Sequence, residues 1–127
     1  MERAKPKFGP VLIVEDRQEF WRPLRAELGT SGLFDQVAIA QNLVEAELWF
    51  EALECPAAVL MDACLSGEKP DTLDLTRKMR EAYGNLIIIA MSRDTSFRRQ
   101  QLQAGCSHES SKENAARYLI NLMQEPA

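Results

Sequence analysis

Two spacings of apolar residues alternate along the chain. Short unbroken apolar runs cover residues 11–14, 37–40, 57–61 and 86–91, each bounded by polar or turn-forming residues. Val, Ile, Leu, Ala and Met make up these runs, and none alternates with polar residues. Each is therefore predicted to be a strand buried on both faces, as in a parallel sheet covered by helices. Between the runs the spacing turns helical. Phe20, Leu24 and Leu28 share one face of a first helix punctuated by Gly29 and Gly32, and Pro23 within it predicts a late start or a disturbed turn. Asn42, three residues before Glu45, is a predicted N-cap; Val44, Leu48 and Ala52 supply the apolar stripe, and Pro56 follows the end. Asp71 is the predicted cap of a third helix that runs through Leu75, Met79 and Ala82 to Gly84. A fourth covers residues 96–104 and stops at Gly105. The last spans residues 113–124, with Ala116, Leu119, Ile120 and Met123 facing inward.

Strand and helix alternate from start to finish, which predicts an open α/β sheet with right-handed crossovers and helices on both faces. The stretch that should supply a fifth strand, Cys106-Ser107-His108-Glu109-Ser110-Ser111, is almost entirely polar and suits only an edge. With 127 residues and no linker, repeat or low-complexity segment, the expectation is one domain over residues 1–127, with residues 1–8 as a flexible lead-in. The net charge of -4 argues against a dedicated nucleic-acid binder. Three cysteines without a C-x-x-C pair fit neither a disulfide framework nor a zinc site, so a reducing compartment is expected. No apolar run approaches the length of a signal core or a membrane span, and the chain is read as cytoplasmic.

In doubly wound sheets, ligands bind beyond the carboxyl ends of the strands. Here the first strand ends in Glu15 and Asp16, the third in Asp62, the fourth in Ser92, and the fifth leads to Lys112. Three carboxylates, a hydroxyl and an ammonium would converge on one rim. Clustered carboxylates repel unless a cation lies among them, and hard oxygen donors suit Mg2+. The ammonium and the hydroxyl could bind the oxygens of a phosphoryl group carried by Asp62. Taken singly, these residues have plainer uses. Glu15 and Asp16 favour a helix N-terminus electrostatically, Ser92 could cap the fourth helix, and Lys112 could be a surface lysine. No glycine-rich loop follows the first strand, as a nucleotide-binding protein would need.

The sequence resembles the response-regulator receiver family over nearly its whole length. The resemblance rests on Val11-Leu12-Ile13-Val14-Glu15-Asp16, on Val59-Leu60-Met61-Asp62-Ala63-Cys64-Leu65-Ser66-Gly67, on Asp71-Thr72-Leu73-Asp74-Leu75, on residues 86–91 followed by Ser92, and on Ala104-Gly105-Cys106 through Lys112. It implies a flavodoxin-like, five-stranded parallel sheet of order 2-1-3-4-5. It implies that Asp62 is the nucleophile taking phosphate from a phosphohistidine, and that Glu15, Asp16, Asp62 and the backbone carbonyl of Cys64 hold Mg2+, with Asp16 mattering more than Glu15. Ser92 and Lys112 would bind phosphoryl oxygens. The implied partners are a sensor histidine kinase or phosphotransfer protein, and a downstream protein on the fourth-helix and fifth-strand face. Nucleic acid and membrane are not expected to be bound directly; a homodimer is allowed. Such a domain is a signalling switch or relay and not an enzyme, its phosphotransfer and dephosphorylation being on itself. The alternative is a receiver-like interaction module that does not use the phosphorylation cycle.

Four residues depart from the family pattern. Ser66 and Glu113 replace prolines, Arg93 a small residue and Glu109 an aromatic; the stretch from Ser92 to Gly105 is also short. A non-proline cis bond costs about 3 kcal/mol, so the Lys112–Glu113 peptide is expected to be trans. Moving a carboxylate into an apolar gap incurs a desolvation penalty, so Glu109 is expected near solvent, paired with Arg98 or Arg99. Coupling would then run through residues 92–96, with Arg93 the most responsive side chain. His108 is expected to be exposed, Cys64 and Cys106 to be ordinary buried or half-buried thiols, and Trp21 and Trp49 to serve in packing or a partner surface.

Overall fold

The apolar runs form strands β1 (Val11–Val14), β2 (Val37–Ala40), β3 (Ala58–Met61) and β4 (Ile87–Ala90), and the polar stretch contributes a two-residue β5 (His108–Glu109). In the computed structural model, which describes residues 5–125, all neighbouring strands pair in parallel in the order β2-β1-β3-β4-β5. Helices α1 (Gln18–Ser31), α2 (Leu43–Ala52), α3 (Leu73–Ala82), α4 (Thr95–Ala104) and α5 (Ala115–Gln124) alternate with them. This is the expected flavodoxin-like doubly wound sheet.

Because successive side chains of a strand point to opposite faces, each strand feeds two cores. Leu12, Val14, Val59, Met61, Ile88 and Ala90 pack beneath Phe50, Leu75 and Met79. Val11, Ile13, Leu60, Ile89 and Met91 pack beneath Trp21, Leu24, Leu28, Leu119 and Ile120. Full burial of each large aliphatic side chain contributes about 1.5–3 kcal/mol, so the central strands are the strongest part of the molecule. Among the described residues, no helix is long and apolar enough to cross a membrane.

Several local expectations need correction. Helix α1 starts at Gln18, not late, and contains Pro23; Gly29 lies inside it, and the chain leaves at Gly32 with φ 69°, a left-handed conformation that glycine adopts without steric cost. Trp21, not Phe20, shares the buried face with Leu24 and Leu28. In α2 the predicted stripe is outside: Val44 and Leu48 are 68% and 61% exposed, Ala52 is exposed, and Ala46 and Phe50 face the core. The Asn42 cap forms as expected, its Oδ1 accepting from the Glu45 backbone N–H at 2.8 Å while Glu45 Oε1 accepts from Gln41 N–H. Thr72, not Asp71, precedes the first turn of α3, and Ala82 at its end is exposed. Asp71 instead accepts from the Leu65 and Ser66 backbone N–H groups and from the Ser66 hydroxyl, tying down the loop after β3. Asp94 caps α4 through the N–H groups of Ser96 and Phe97, which leaves Ser92 free of that duty. Helix α5 starts at Ala115 rather than residue 113, with the four predicted inward residues packed as expected. Of the expected lead-in, residues 1–4 lie outside the described residues; Phe8 is held by a parallel bridge to Phe34 and backbone hydrogen bonds to Leu33 and Asp35.

Candidate functional site

The strand register brings the chemistry together. Val14 lies opposite Met61, and Met61 opposite Ala90, so Glu15, Asp62 and Ser92 all leave the sheet at one rim. The Asp62 backbone N–H donates to Val14 carbonyl at 3.0 Å, fixing the acidic pair against the third strand. Carboxylate oxygens of Glu15, Asp16 and Asp62 lie within 4.8 Å of one another. Glu15 is fully buried, Asp62 nearly so, and Asp16 half-buried.

Lys112, itself buried, reaches this cluster from beyond β5. Its ammonium lies 2.7 Å from Glu15 Oε1 and 3.4 Å from Asp62 Oδ2. Burial pushes the Glu15 carboxyl up to about 7, with the neighbouring Asp62 charge adding to the rise and Lys112 opposing it. Burial likewise raises Asp62, with Lys112 again opposing. One ammonium thus under-compensates the buried carboxylates, and a divalent cation among them would complete the balance. The donor set, all hard oxygen, fits Mg2+. Among the described residues the Cys64 carbonyl accepts no hydrogen bond, whereas the preceding carbonyl of Ala63 accepts from Asp71 N–H, Thr72 N–H and the Thr72 hydroxyl.

Ser92 is buried on the same rim, but its hydroxyl accepts from the Asp94 N–H at 3.2 Å and makes no hydrogen bond to Asp62. Burial lifts the half-buried Cys64 thiol to about 11 and the buried Cys106 thiol to about 12, so neither is a ready thiolate. His108 is half-buried, against the expectation of exposure, with its ring beside Tyr118 and Nδ1 2.8 Å from the Ser107 hydroxyl. Trp21 is buried and Trp49 half-buried against the core. Among the described residues no peptide is cis, so Lys112–Glu113 is trans as expected. Glu109 is exposed and pairs with Arg98 at 3.2 Å, also as expected.

Three supporting residues were not foreseen. The buried Thr72 hydroxyl donates to the Asp62 carbonyl at 2.7 Å. Gln101, fully buried on α4, donates from Nε2 to the Met61 carbonyl at 2.8 Å, alongside the Met91 N–H. Phe20 turns away from the core of α1 toward the rim, where the Lys112 ammonium and the Arg93 guanidinium sit 4.5 and 4.4 Å from its ring centre. The offset of Phe20 from the Trp21 stripe was the available signal for the last; nothing in the sequence separates Gln101 from its neighbour Gln100.

Solved structures share this architecture at low sequence identity. A CheY-like response regulator receiver domain protein from Methanospirillum hungatei JF-1 is 19% identical with a TM-score of 0.75, covering 92% of this chain and 91% of its own. The signal receiver domain of a DNA-binding response regulator from Colwellia psychrerythraea 34H is also 19% identical, with a TM-score of 0.73 over 91% of this chain and 98% of its own. A response regulator from Thermotoga maritima is 22% identical, with a TM-score of 0.71 over 95% and 96%. No family model and no curated protein matches the sequence. The chain therefore has the receiver-domain fold, with an acidic cluster at the carboxyl rim of its sheet.

Proposed function

We propose that this domain is a phosphoacceptor that takes a phosphoryl group onto Asp62 and acts as a signalling switch or relay. The observation that carries the reading is the buried Asp62 carboxylate at the end of β3, 3.4 Å from Lys112 and clustered with Glu15 and Asp16. An Asp62 oxygen would form the bond to phosphorus as the bond from phosphorus to the donor imidazole nitrogen breaks, the electron pair leaving with that nitrogen. Glu15, Asp16, Asp62 and the Cys64 carbonyl are the residues that would hold Mg2+, which when bound neutralises charge on the transferring group. Lys112 supplies a positive charge already in place, and Ser92 supplies a hydroxyl whose oxygen accepts from the Asp94 N–H while its proton can be donated to a phosphoryl oxygen. Thr72 and Asp71 hold the loop after the nucleophile, so that its carboxylate keeps its aim.

The donor in this reading is a sensor histidine kinase or phosphotransfer protein, the output partner meets the α4–β5 face, and the setting is the cytoplasm. The only substrate is the domain's own aspartate, so the reaction is signalling rather than metabolic catalysis. Incubation with acetyl phosphate and Mg2+ followed by intact-mass measurement and peptide mapping tests it. One phosphoryl group on Asp62, lost with EDTA present and absent from Asp62→Asn, is the expected result. Equal labelling of Asp62→Asn would overturn it. A second reading, a receiver-like interaction module, draws on the Arg93–Glu113 ion pair at the rim and on Lys112 lying closer to Glu15 than to Asp62. It requires that the wild-type protein gain no mass.

A further inference from the structure

The residues that follow Ser92 and Lys112 are paired with each other. Arg93 Nη2 lies 2.6 Å from Glu113 Oε1, so the loop after β4 is joined to the loop after β5 just outside the candidate site. Both side chains are largely exposed, at 61% and 58%, and an ion pair in such a setting contributes only about 0–1 kcal/mol. It is a contact that exchanges easily. Among the described residues Glu113 is the only hydrogen-bond acceptor on the guanidinium, which leaves its remaining N–H donors unengaged. The same guanidinium rests on Phe20, whose ring also meets the Lys112 ammonium, and that ammonium is the one beside Asp62. Phe20 thus forms an apolar bridge from the site to Arg93, its ring attracting both cations.

We propose that Arg93 is a second cation for the phosphoryl group, kept at the rim by Glu113 and drawn across Phe20 when Asp62 is modified. This rests on the reading of Asp62 as the phosphoacceptor. A phosphoryl group brings a charge of about −1.5 to −2 and three acceptor oxygens, against one exposed carboxylate on Glu113. The planar guanidinium can take two such oxygens through a rigid pair of parallel N–H donors, a bidentate geometry that the ammonium of a lysine does not offer. With Mg2+ bound, the unmodified carboxylates would already have two positive charges besides that of Lys112, and Arg93 gains little by leaving Glu113. Exchange of partners would also break the link between the two loops, so that modification at Asp62 is felt at the starts of α4 and α5.

Beryllium fluoride with Mg2+ serves as the phosphoryl mimic, its binding read by fluorine NMR of the bound fluorides. Arg93→Ala should weaken binding about tenfold, the loss of one charge-assisted interaction. Arg93→Lys should fall between, and Glu113→Gln should bind no more weakly than wild type, because it releases Arg93. Circular-dichroism melts of each variant confirm folding. If Arg93→Ala binds as wild type does, or if Arg93→Ala and Glu113→Gln weaken binding alike, the pair is at most a fixed latch and the assignment is wrong. In those cases wild type still binds and Asp62→Asn does not, which leaves the phosphoacceptor reading intact. If wild type binds no better than Asp62→Asn, that reading fails and the role of Arg93 fails with it.

Discussion

Asp62 leaves a strand whose four residues are all buried, while Lys112 lies beyond a strand of two residues, one of them exposed. The two ends meet across the same site but are held by different forces. Around Asp62 the fixings are short-range and buried: the Val14 carbonyl, the Thr72 hydroxyl and the Gln101 amide on the adjacent Met61 carbonyl. Around β5 the short backbone pairing to β4 is supplemented by ion pairs at least partly exposed to solvent, Arg98 with Glu109 and Arg93 with Glu113. A site that must hold a nucleophile still and let its surroundings respond is well served by this division. The nucleophile sits where hydrophobic burial is greatest, and the groups that answer it sit where contacts exchange at little cost.

The contrast can be broken from the rigid side first. Leu60→Ala, in the centre of β3, should cost about 2–5 kcal/mol, read as a lowered urea midpoint; a loss under about 1 kcal/mol would mean that the sheet centre is softer than its burial implies. The next effect is electrostatic. Glu15 holds its proton up to about 7, above its ordinary 4.5, so the folded state binds that proton more tightly than the unfolded state does. The resulting stability is present below about pH 4.5 and is lost as pH rises to about 7, at no more than about 1.4 kcal/mol per pH unit. The raised Asp62 acts in the same direction. Urea midpoints of the metal-free protein should therefore fall across this window, and Glu15→Gln should flatten the fall. A midpoint that rises with pH there would contradict the electrostatics described.

Thr72→Val should cost about 2 kcal/mol, because it leaves the buried Asp62 carbonyl without its donor. The same urea titrations that score Leu60→Ala would show it, and an unchanged midpoint would remove Thr72 from the bracing of the nucleophile. The smallest effect belongs to the edge: Glu109→Ala should change stability by less than about 1 kcal/mol, and less still in high salt. A larger, salt-insensitive loss would show that the β5 side is as firmly built as the centre.

The sequence made the centre of the molecule legible and blurred its margins, for physical reasons. Unbroken apolar runs have one stable destination, so β1 to β4 and their carboxyl-end residues could be placed from residue type alone. Helix α2 could not be oriented in the same way. Leu43, Val44, Ala46, Leu48, Trp49, Phe50 and Ala52 offer more than one apolar stripe, and the choice fell to the one that inserts Phe50 into the core. Asp71 and Thr72 are both good capping residues. The loop after β3 claimed the first, which left the second at the helix. Glu15, Asp16, Asp62 and Lys112 were readable as a convergence because each follows the carboxyl end of a strand within a few residues. Phe20 and Gln101 act through side-chain direction, which depends on which face of a helix is turned to the sheet and is fixed only by packing.

The brevity of β5 has a consequence for how the molecule meets its own copies. An edge strand normally offers a row of unpaired backbone donors and acceptors on which a neighbouring chain can build, the usual start of sheet-to-sheet aggregation. Here that row is two residues long, begins at His108, and ends at a glutamate clasped by an arginine from the adjoining helix. An intruding strand would find too few groups to pair with, and a charged pair to displace before it could lie flat. The polar composition that made this segment hard to recognise as a strand also makes it a poor template for a sixth.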